Sequence, residues 1–455
     1  MLNHQSSLKQ YDAIVIGSGI SGLTISLILA KEGKKVAIFE RDGDVAPLIR
    51  PYQRKGCECS PGLHFSGWMD DDDVIASFLR YLHLSDGVEK VLYKKNFLNI
   101  DVGPNHYSLP RGFENVEQSL LSYFRECPET VHQYFRLMKA MNQETFYFNK
   151  QLLPHFNTAH DFLGPSNFTL EDCLKRYNAS QRFIDLLGAL NYALIGSKAD
   201  EVPFTTHAFA MGGFYQSPGF FTTSGINRLL ANFKRELGDY GAEIMLHSEV
   251  EKILLGSHKN AEGVRTKTGD EYFSPNIIAT FNPKLLNEMV NSDALRSIYR
   301  QRLMEAENTF GFYLAFYKIE ETVDFAIENM IQYDERWNNP IIITSNISNG
   351  RRILCLFLAD SNQNIPVEPD ERRQRADERL EVIEQIIDDK LPALKGKRVL
   401  LDFCKPWSFE RYTKTINGSA YGIKQTINSM GFQHKVPIRG LYLVGQAIFP
   451  GFLGS

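Results

Sequence analysis

The stretch DAIVIGSGISGLTISLILAKEGKKVAIFE, residues 12–40, decides the fold. Its apolar opening, residues 13–16, predicts a short buried strand. Gly17-Ser18-Gly19-Ile20-Ser21-Gly22 follows as a full G-x-G-x-x-G. An apolar helix is expected from 23 to about 31, with Gly33 as its stop. Val36–Phe39 then reads as a second strand, ending in Glu40. Each residue type has a physical task. Gly17 permits the tight turn, Gly19 lets backbone approach a pyrophosphate, and Gly22 lets helix pack on strand. The helix N-terminus offers N–H groups and a positive dipole end to phosphates, with Ile20 and Ser21 in its first turn. Glu40 can accept hydrogen bonds from ribose hydroxyls and would repel a 2′-phosphate, and Arg41 adjoins it. Strand, glycines, helix and acid stand at the spacing of a dinucleotide-binding βαβ unit. NAD and FAD both satisfy this fingerprint.

Residues 13–30 carry no charge over a length that approaches a membrane span. Three glycines and two serines interrupt the first half, and Asp12 with no basic segment precedes it, so the nucleotide unit is the better reading. The chain has 455 residues, which predicts two to four domains or two larger ones. Its 50 basic and 54 acidic residues leave a net charge of −4, without the basic excess that general nucleic-acid binding needs. Aromatic residues make up 12%, including 31 Phe and 20 Tyr, enough to line a large core or a pocket for a greasy ligand. Among six cysteines only Cys57 and Cys59 are close, with no second pair and no H-E-x-x-H. The expectation is no metal site and reduced thiols in a cytoplasmic protein.

Further along, a helix is expected at about 225–238, strands at 243–246 and Val250–Leu255, a hairpin near 263–268, and an apolar strand at 276–280. GLYLVG, residues 440–445, is another strand running into glycine. Four blocks together resemble the flavin-containing phytoene desaturase, carotenoid isomerase and retinol saturase group of the amine-oxidase-like flavoproteins. They are the fingerprint through Glu40, GCECSPGLH at 56–64, the segment 224–283, and GSAYG at 418–422 with GLYLVGQAIFPG at 440–451. The resemblance implies an α/β fold: a Rossmann-like FAD-binding domain of glutathione-reductase type with an inserted α+β substrate domain. The FAD domain would be discontinuous, 1–66, 218–290 and 401–455, and the substrate domain would comprise 67–217 and 291–400. Carried over, Gly17, Gly19, Gly22 and Glu40 hold the ADP half of FAD and Val250 lies on the adenine side. Gly445 lies along the ribityl and pyrophosphate region, with Pro450 and Gly451 near the isoalloxazine. Two departures stand out. Ala46-Pro47 occupies the place of a Gly-Gly that touches the pyrophosphate, and Ser60 stands where an aspartate is usual. Members of the group also continue past the position of Ser455 into one more helix facing the flavin.

The expected chemistry is hydride exchange with flavin N5, the protein positioning a substrate carbon. The resemblance implies a hydrophobic polyene, isoprenoid or lipid-like substrate and leaves desaturation, saturation and cis–trans isomerisation open. A flavin amine oxidase and a non-catalytic lipid escort are the alternatives on this fold. His64 matches a family histidine near the flavin and is a candidate proton donor or acceptor. Arg411 and Tyr412 are candidates for orienting a substrate's polar end. The aromatic stretch 204–221 is expected to wall a tunnel or simply to fill the core. Residues 115–140 read as helical with a break at Pro128, and 369–390 as a charged helix. Residues 309–319 and 353–359 read as strands. The aspartates 70–73 read as a solvated helix start. A lipid substrate would bring peripheral contact with a membrane, and no second dinucleotide site is evident.

Overall fold

The computed structural model describes residues 10–143, 168–291, 293–323, 329–334, 339–361, 365–427 and 434–448. Five parallel strands form the first sheet. Their order in space is Leu441–Leu443, Ile277–Ala279, Ala13–Ile16, Val36–Phe39, Glu243–Met245. The N-terminal strand is central, with Ile14 in register between Ile277 and Ala37. The runs 13–16 and 36–39 are buried at every position, as expected for parallel strands covered on both faces.

Alternation assigns the two faces. Val15, Val36 and Ile38 pack with Leu23 and Leu27 of the helix Ile20–Lys31 and with Ile226, Leu230 and Phe233 of the helix Thr223–Asp239. Ile14, Ile16 and Phe39 point the other way, onto Ile253 and Val264. Those two belong to an antiparallel sheet of Val250–Leu255, Ala261–Thr266 and Glu271–Phe273. The result is three layers: helices, parallel sheet, antiparallel sheet.

A second, mixed sheet has seven strands. Their order is Arg398–Cys404, Gly311–Ile319, Arg351–Asp360, Asn339–Ser348, Asn329–Asp334, Asn96–Val102, Asn105–Pro110. Its central strands are apolar on both faces because both are covered. Phe312, Leu314 and Phe316 face a helical layer that includes Phe113–Tyr123, Pro128–Gln143, Gln181–Ile195 and Phe204–Gln216. Tyr313, Ala315 and Tyr317 face Ile383, Ile386 and Ile387 of the charged helix Pro369–Lys390.

Two features differ from the sequence expectation. The segment 67–217 contributes the hairpin 96–110 as well as helices, and Asn96–Val102 pairs in parallel with Asn329–Asp334. The aspartates 70–73 are not merely solvated. Asp70 is bonded to Arg111, Asp71 to Lys90, and the Asp73 carboxylate accepts from Ser217 Oγ.

Candidate cofactor and substrate site

The glycine fingerprint sits where the first strand hands over to its helix. Gly17 has φ +100°, and a Cβ there would collide with Thr280 Oγ1. A Cβ on Gly22 would fall onto the Gly17 carbonyl. Gly19, the N-cap, differs: a Cβ there would meet no protein atom within 4 Å. The helix has no acidic residue in its first turn and no side-chain cap on its N-terminus. Its amide donors and positive end therefore face open space, which fits an anionic pyrophosphate.

Glu40 is buried at the end of the second strand. Its Oε2 accepts from Ser18 N at 3.0 Å and Ser18 Oγ at 2.6 Å, and Oε1 accepts from Asp42 N at 2.9 Å. The carboxylate is thus locked beside the fingerprint. Backbone bonds from Glu40 N to Met245 O and from Ser248 N to Glu40 O, 2.9 and 2.7 Å, bring the approach to Val250 alongside. Gly445, at φ +112°, backs onto Thr280 and Ser21. Arg41 turns outward, its Nη2 donating to the Arg411 carbonyl at 2.6 Å. Pro450 and Gly451 lie outside the described residues. Ala46 adopts φ +52° while buried, and its N–H donates to Ser18 O at 3.0 Å. The alanine therefore keeps the left-handed backbone a glycine would take without strain.

A cavity of ≈ 740 Å³ begins beside this unit at Ile20, Leu48 and Gly62 and extends into the second sheet. One wall runs as a chain of rings. His64 meets Phe357 edge-on at 4.4 Å, Phe357 meets Phe312 at 5.2 Å, and Phe312 meets Tyr421 at 6.2 Å. The helix Phe204–Gln216 divides its two faces. Phe209, Ala210, Gly213 and Phe214 line the cavity, whereas Phe204, His207, Met211 and Tyr215 are buried away from its lining. His207 there belongs to a buried network. Its Nδ1 is 3.1 Å from Asn191 Oδ1, its Nε2 is 2.8 Å from Tyr134 Oη, and Tyr134 Oη is 3.1 Å from Tyr215 Oη.

The segment 61–69 shapes the cavity mouth. Leu63 and Trp68 hold φ of +57° and +55°, and both line the cavity. Such conformations cost about 1–3 kcal/mol each and survive where the surroundings fix them. Here backbone bonds of 2.8 and 2.9 Å pair Ser66 with Gly219, and Met69 N donates to Ser217 O at 3.0 Å. Between these points stands His64, buried, with neither ring nitrogen in a hydrogen bond of regular geometry. Burial pushes its pKa down to about 4, the Pro61 carbonyl opposing. It is a neutral imidazole at pH 7, open to the cavity.

The structure therefore brings His64, Ile20 and the glycines to one region. Arg411 and Tyr412 do not join them. Neither lines the cavity, Tyr412 is 58% exposed, and the Arg411 guanidinium stacks over the Tyr412 ring. On the helix Pro406–Thr413 it is Phe409 that faces inward, and helical spacing turns residues 411 and 412 away. Sequence reading missed Ser419, Gln425 and Gln446, which line the cavity, although Ser419 lies within the quoted GSAYG. It also missed Ile342 and Phe357. Strand alternation on a two-sided sheet carries no mark of which face borders a void. Among the described residues no cluster with metal-ligand character occurs, and Cys57 and Cys59 are buried and unbridged.

Residues 15–82 match the NAD(P)-binding Rossmann-like domain. Fold and site thus define a Rossmann-type dinucleotide-binding protein with a second, cavity-bearing sheet domain. Two solved structures share the architecture. An oxidoreductase from Methanosarcina mazei superposes with a TM-score of 0.66 at 16% identity, covering 96% of this chain and 94% of its own. Cyclohexylamine oxidase from Brevibacterium oxydans superposes with a TM-score of 0.60 at 15% identity, covering 96% and 93%.

By sequence the chain is a relative of retinol reductases and carotenoid isomerases, as its motifs led us to expect. It is 20% identical to the all-trans-retinol 13,14-reductase of Danio rerio, covering 98% of this chain and 84% of that protein. It is 21% identical to the chloroplastic prolycopene isomerase of Daucus carota, covering 97% and 77%. The inactive all-trans-retinol 13,14-reductase of Danio rerio is 23% identical over 71% of this chain, and the match takes in 56% of that protein's length. Among the described residues no helix is long and apolar enough to cross a membrane.

Proposed function

We propose that this chain is an FAD-dependent enzyme acting on a carbon–carbon double-bond system of a hydrophobic polyene or isoprenoid. The observation that carries this reading is the ≈ 740 Å³ cavity, walled by aromatic and aliphatic side chains, that begins at the first turn of the nucleotide helix. The names of the relatives support the substrate class. In this reading the nucleotide domain is assembled from 1–66, 218–290 and 401–455. Gly17, Gly19, Gly22 and the helix N-terminus hold the pyrophosphate, Glu40 the ribose, and Val250 and Gly445 flank the cofactor. When bound, FAD supplies two-electron hydride exchange.

The chain's own residues do the rest. The wall Phe357–Phe312–Tyr421 aligns the polyene and excludes water. Neutral His64 offers one N–H and one lone pair at the cavity wall, able to hold or accept a proton without introducing charge. An amine oxidase reading is less well supported. No Asp or Glu lines the cavity, so a cationic substrate would find no counter-charge there.

An absorption spectrum of the purified protein tests the reading. Flavin bands with FAD released on denaturation are expected. A colourless protein that cannot be reconstituted with FAD would refute it. Anaerobic incubation with polyenes, with and without reductant, then separates isomerisation from desaturation and saturation.

A further inference from the structure

Three polar side chains interrupt the apolar lining of the cavity in a way core packing does not explain. His64, Ser419 and Gln425 are 7%, 2% and 6% exposed, and all three line the cavity. Both His64 ring nitrogens, Ser419 Oγ and Gln425 Oε1 are buried without a hydrogen-bond partner. Each such atom costs about 1–3 kcal/mol if nothing meets it. Two of the residues share one loop, 419–425, which is itself firmly held. Ala420 N donates to Phe310 O at 2.8 Å, Gln446 Nε2 to Ala420 O at 3.3 Å, and Tyr421 Oη to Ala193 O at 2.8 Å. Gln425 Nε2 donates to Ile423 O at 3.1 Å, which leaves Oε1 as its open acceptor.

We propose that Ser419 and Gln425 form a subsite for an alcohol, so that the substrate is a polyene or isoprenoid ending in a hydroxyl group rather than a plain hydrocarbon. This rests on the polyene reading above. A hydroxyl both donates and accepts: its O–H meets Gln425 Oε1, and its lone pair takes the Ser419 Oγ–H. A hydrocarbon end would leave both atoms unmet. A carboxylate would set its charge against Gln425 Oε1, and no Lys or Arg lines the cavity to neutralise it. With the hydroxyl seated on this loop, the chain runs along Tyr421, Phe312 and Phe357 toward His64, the rings stepping by 6.2, 5.2 and 4.4 Å. Tyr421 serves as wall and not as anchor, because its hydroxyl is already spent on Ala193.

The test is ligand binding to the FAD-loaded full chain, read by quenching of tryptophan fluorescence, since Trp68 lines the cavity. The probes are all-trans-retinol, the same polyene with methyl in place of the hydroxymethyl group, and the corresponding carboxylic acid. The alcohol is expected to bind at least about tenfold more tightly than either analogue. Ser419→Ala and Gln425→Leu should each weaken the alcohol about five- to tenfold while leaving the hydrocarbon unchanged or tighter. FAD content and melting temperature of each variant report whether it folds, and the wild-type ranking of the three probes decides the matter if a variant does not. Equal binding of alcohol and hydrocarbon, or equal losses for both in the variants, overturns the subsite and leaves the polyene reading standing. Failure of the FAD-loaded protein to bind any of the three overturns both.

Discussion

Two neighbouring glycines should fail in different ways when each is given a methyl group. A Cβ on Gly22 falls onto the Gly17 carbonyl, a rigid backbone atom, with Thr280 Cγ2 at 3.4 Å behind it. Strand and helix must separate to admit it, at about 1–3 kcal/mol, so Gly22→Ala should lower the melting temperature even without cofactor. Gly19 has φ −58° and ψ 169°, which alanine adopts readily, and its Cβ would meet nothing. Gly19→Ala should therefore leave apo-protein stability within about 1 kcal/mol of wild type. That same open space is where the pyrophosphate must approach the uncapped helix N-terminus. Losing one or two charge-assisted hydrogen bonds, about 1.5–3 kcal/mol each, weakens FAD by about a hundredfold. Thermal melts of the apo forms and calorimetric titration with FAD measure both quantities. A Gly19→Ala protein that binds FAD as tightly as wild type would refute the placement of the cofactor. A Gly22→Ala protein with unchanged melting would refute the packing argument.

Other consequences can be checked as readily. Tyr134→Phe strands His207 Nε2 in the core and should cost about 1–3 kcal/mol by denaturant titration. Replacing His207 by Leu in the same chain should recover part of that loss. Burial lowers His64 to about 4 and His207 to about 3. Folding therefore favours their neutral forms, and their stabilisation is full above the unfolded pKa of about 6.5 and lost as pH falls toward 3–4. Denaturation midpoints should fall between pH 7 and pH 5, with a shallower slope in His64→Leu. An unaltered slope in that variant would contradict the assignment. Alanine at both Arg411 and Tyr412 should change turnover less than about twofold, since neither side chain reaches the cavity. A tenfold loss would return them to the site.

The nucleotide unit was legible because its constraints are local. The glycine spacing, the apolar strand and the closing acid all act within residues 12–40, and Val36–Phe39 and Val250–Leu255 appear at the expected bounds. The helix Pro369–Lys390 was equally plain, since its acid–base pattern and opening proline are intrinsic signals. The hairpin 96–110 was not. Its strands are ordered by pairing with Asn329–Asp334, more than two hundred residues away, and neither partner is strongly patterned alone.

The sequence by itself determined that a phosphate-binding turn exists and that a greasy ligand was to be expected. Tertiary structure alone decided which residues meet that ligand. Phe312 and Phe316 stand two turns of the pleat apart on one face of one strand, yet only Phe312 borders the cavity. Arg411 and Phe409 are two residues apart on one helix, and only Phe409 turns inward. Ser419 and Gln425 are ordinary polar residues in the sequence. They become candidates for recognition only because the fold buries them against a void and leaves Ser419 Oγ and Gln425 Oε1 without partners. Residue type and spacing record the local geometry of backbone and phosphate. A cavity is a gap among segments distant in the chain, and no single segment carries its outline.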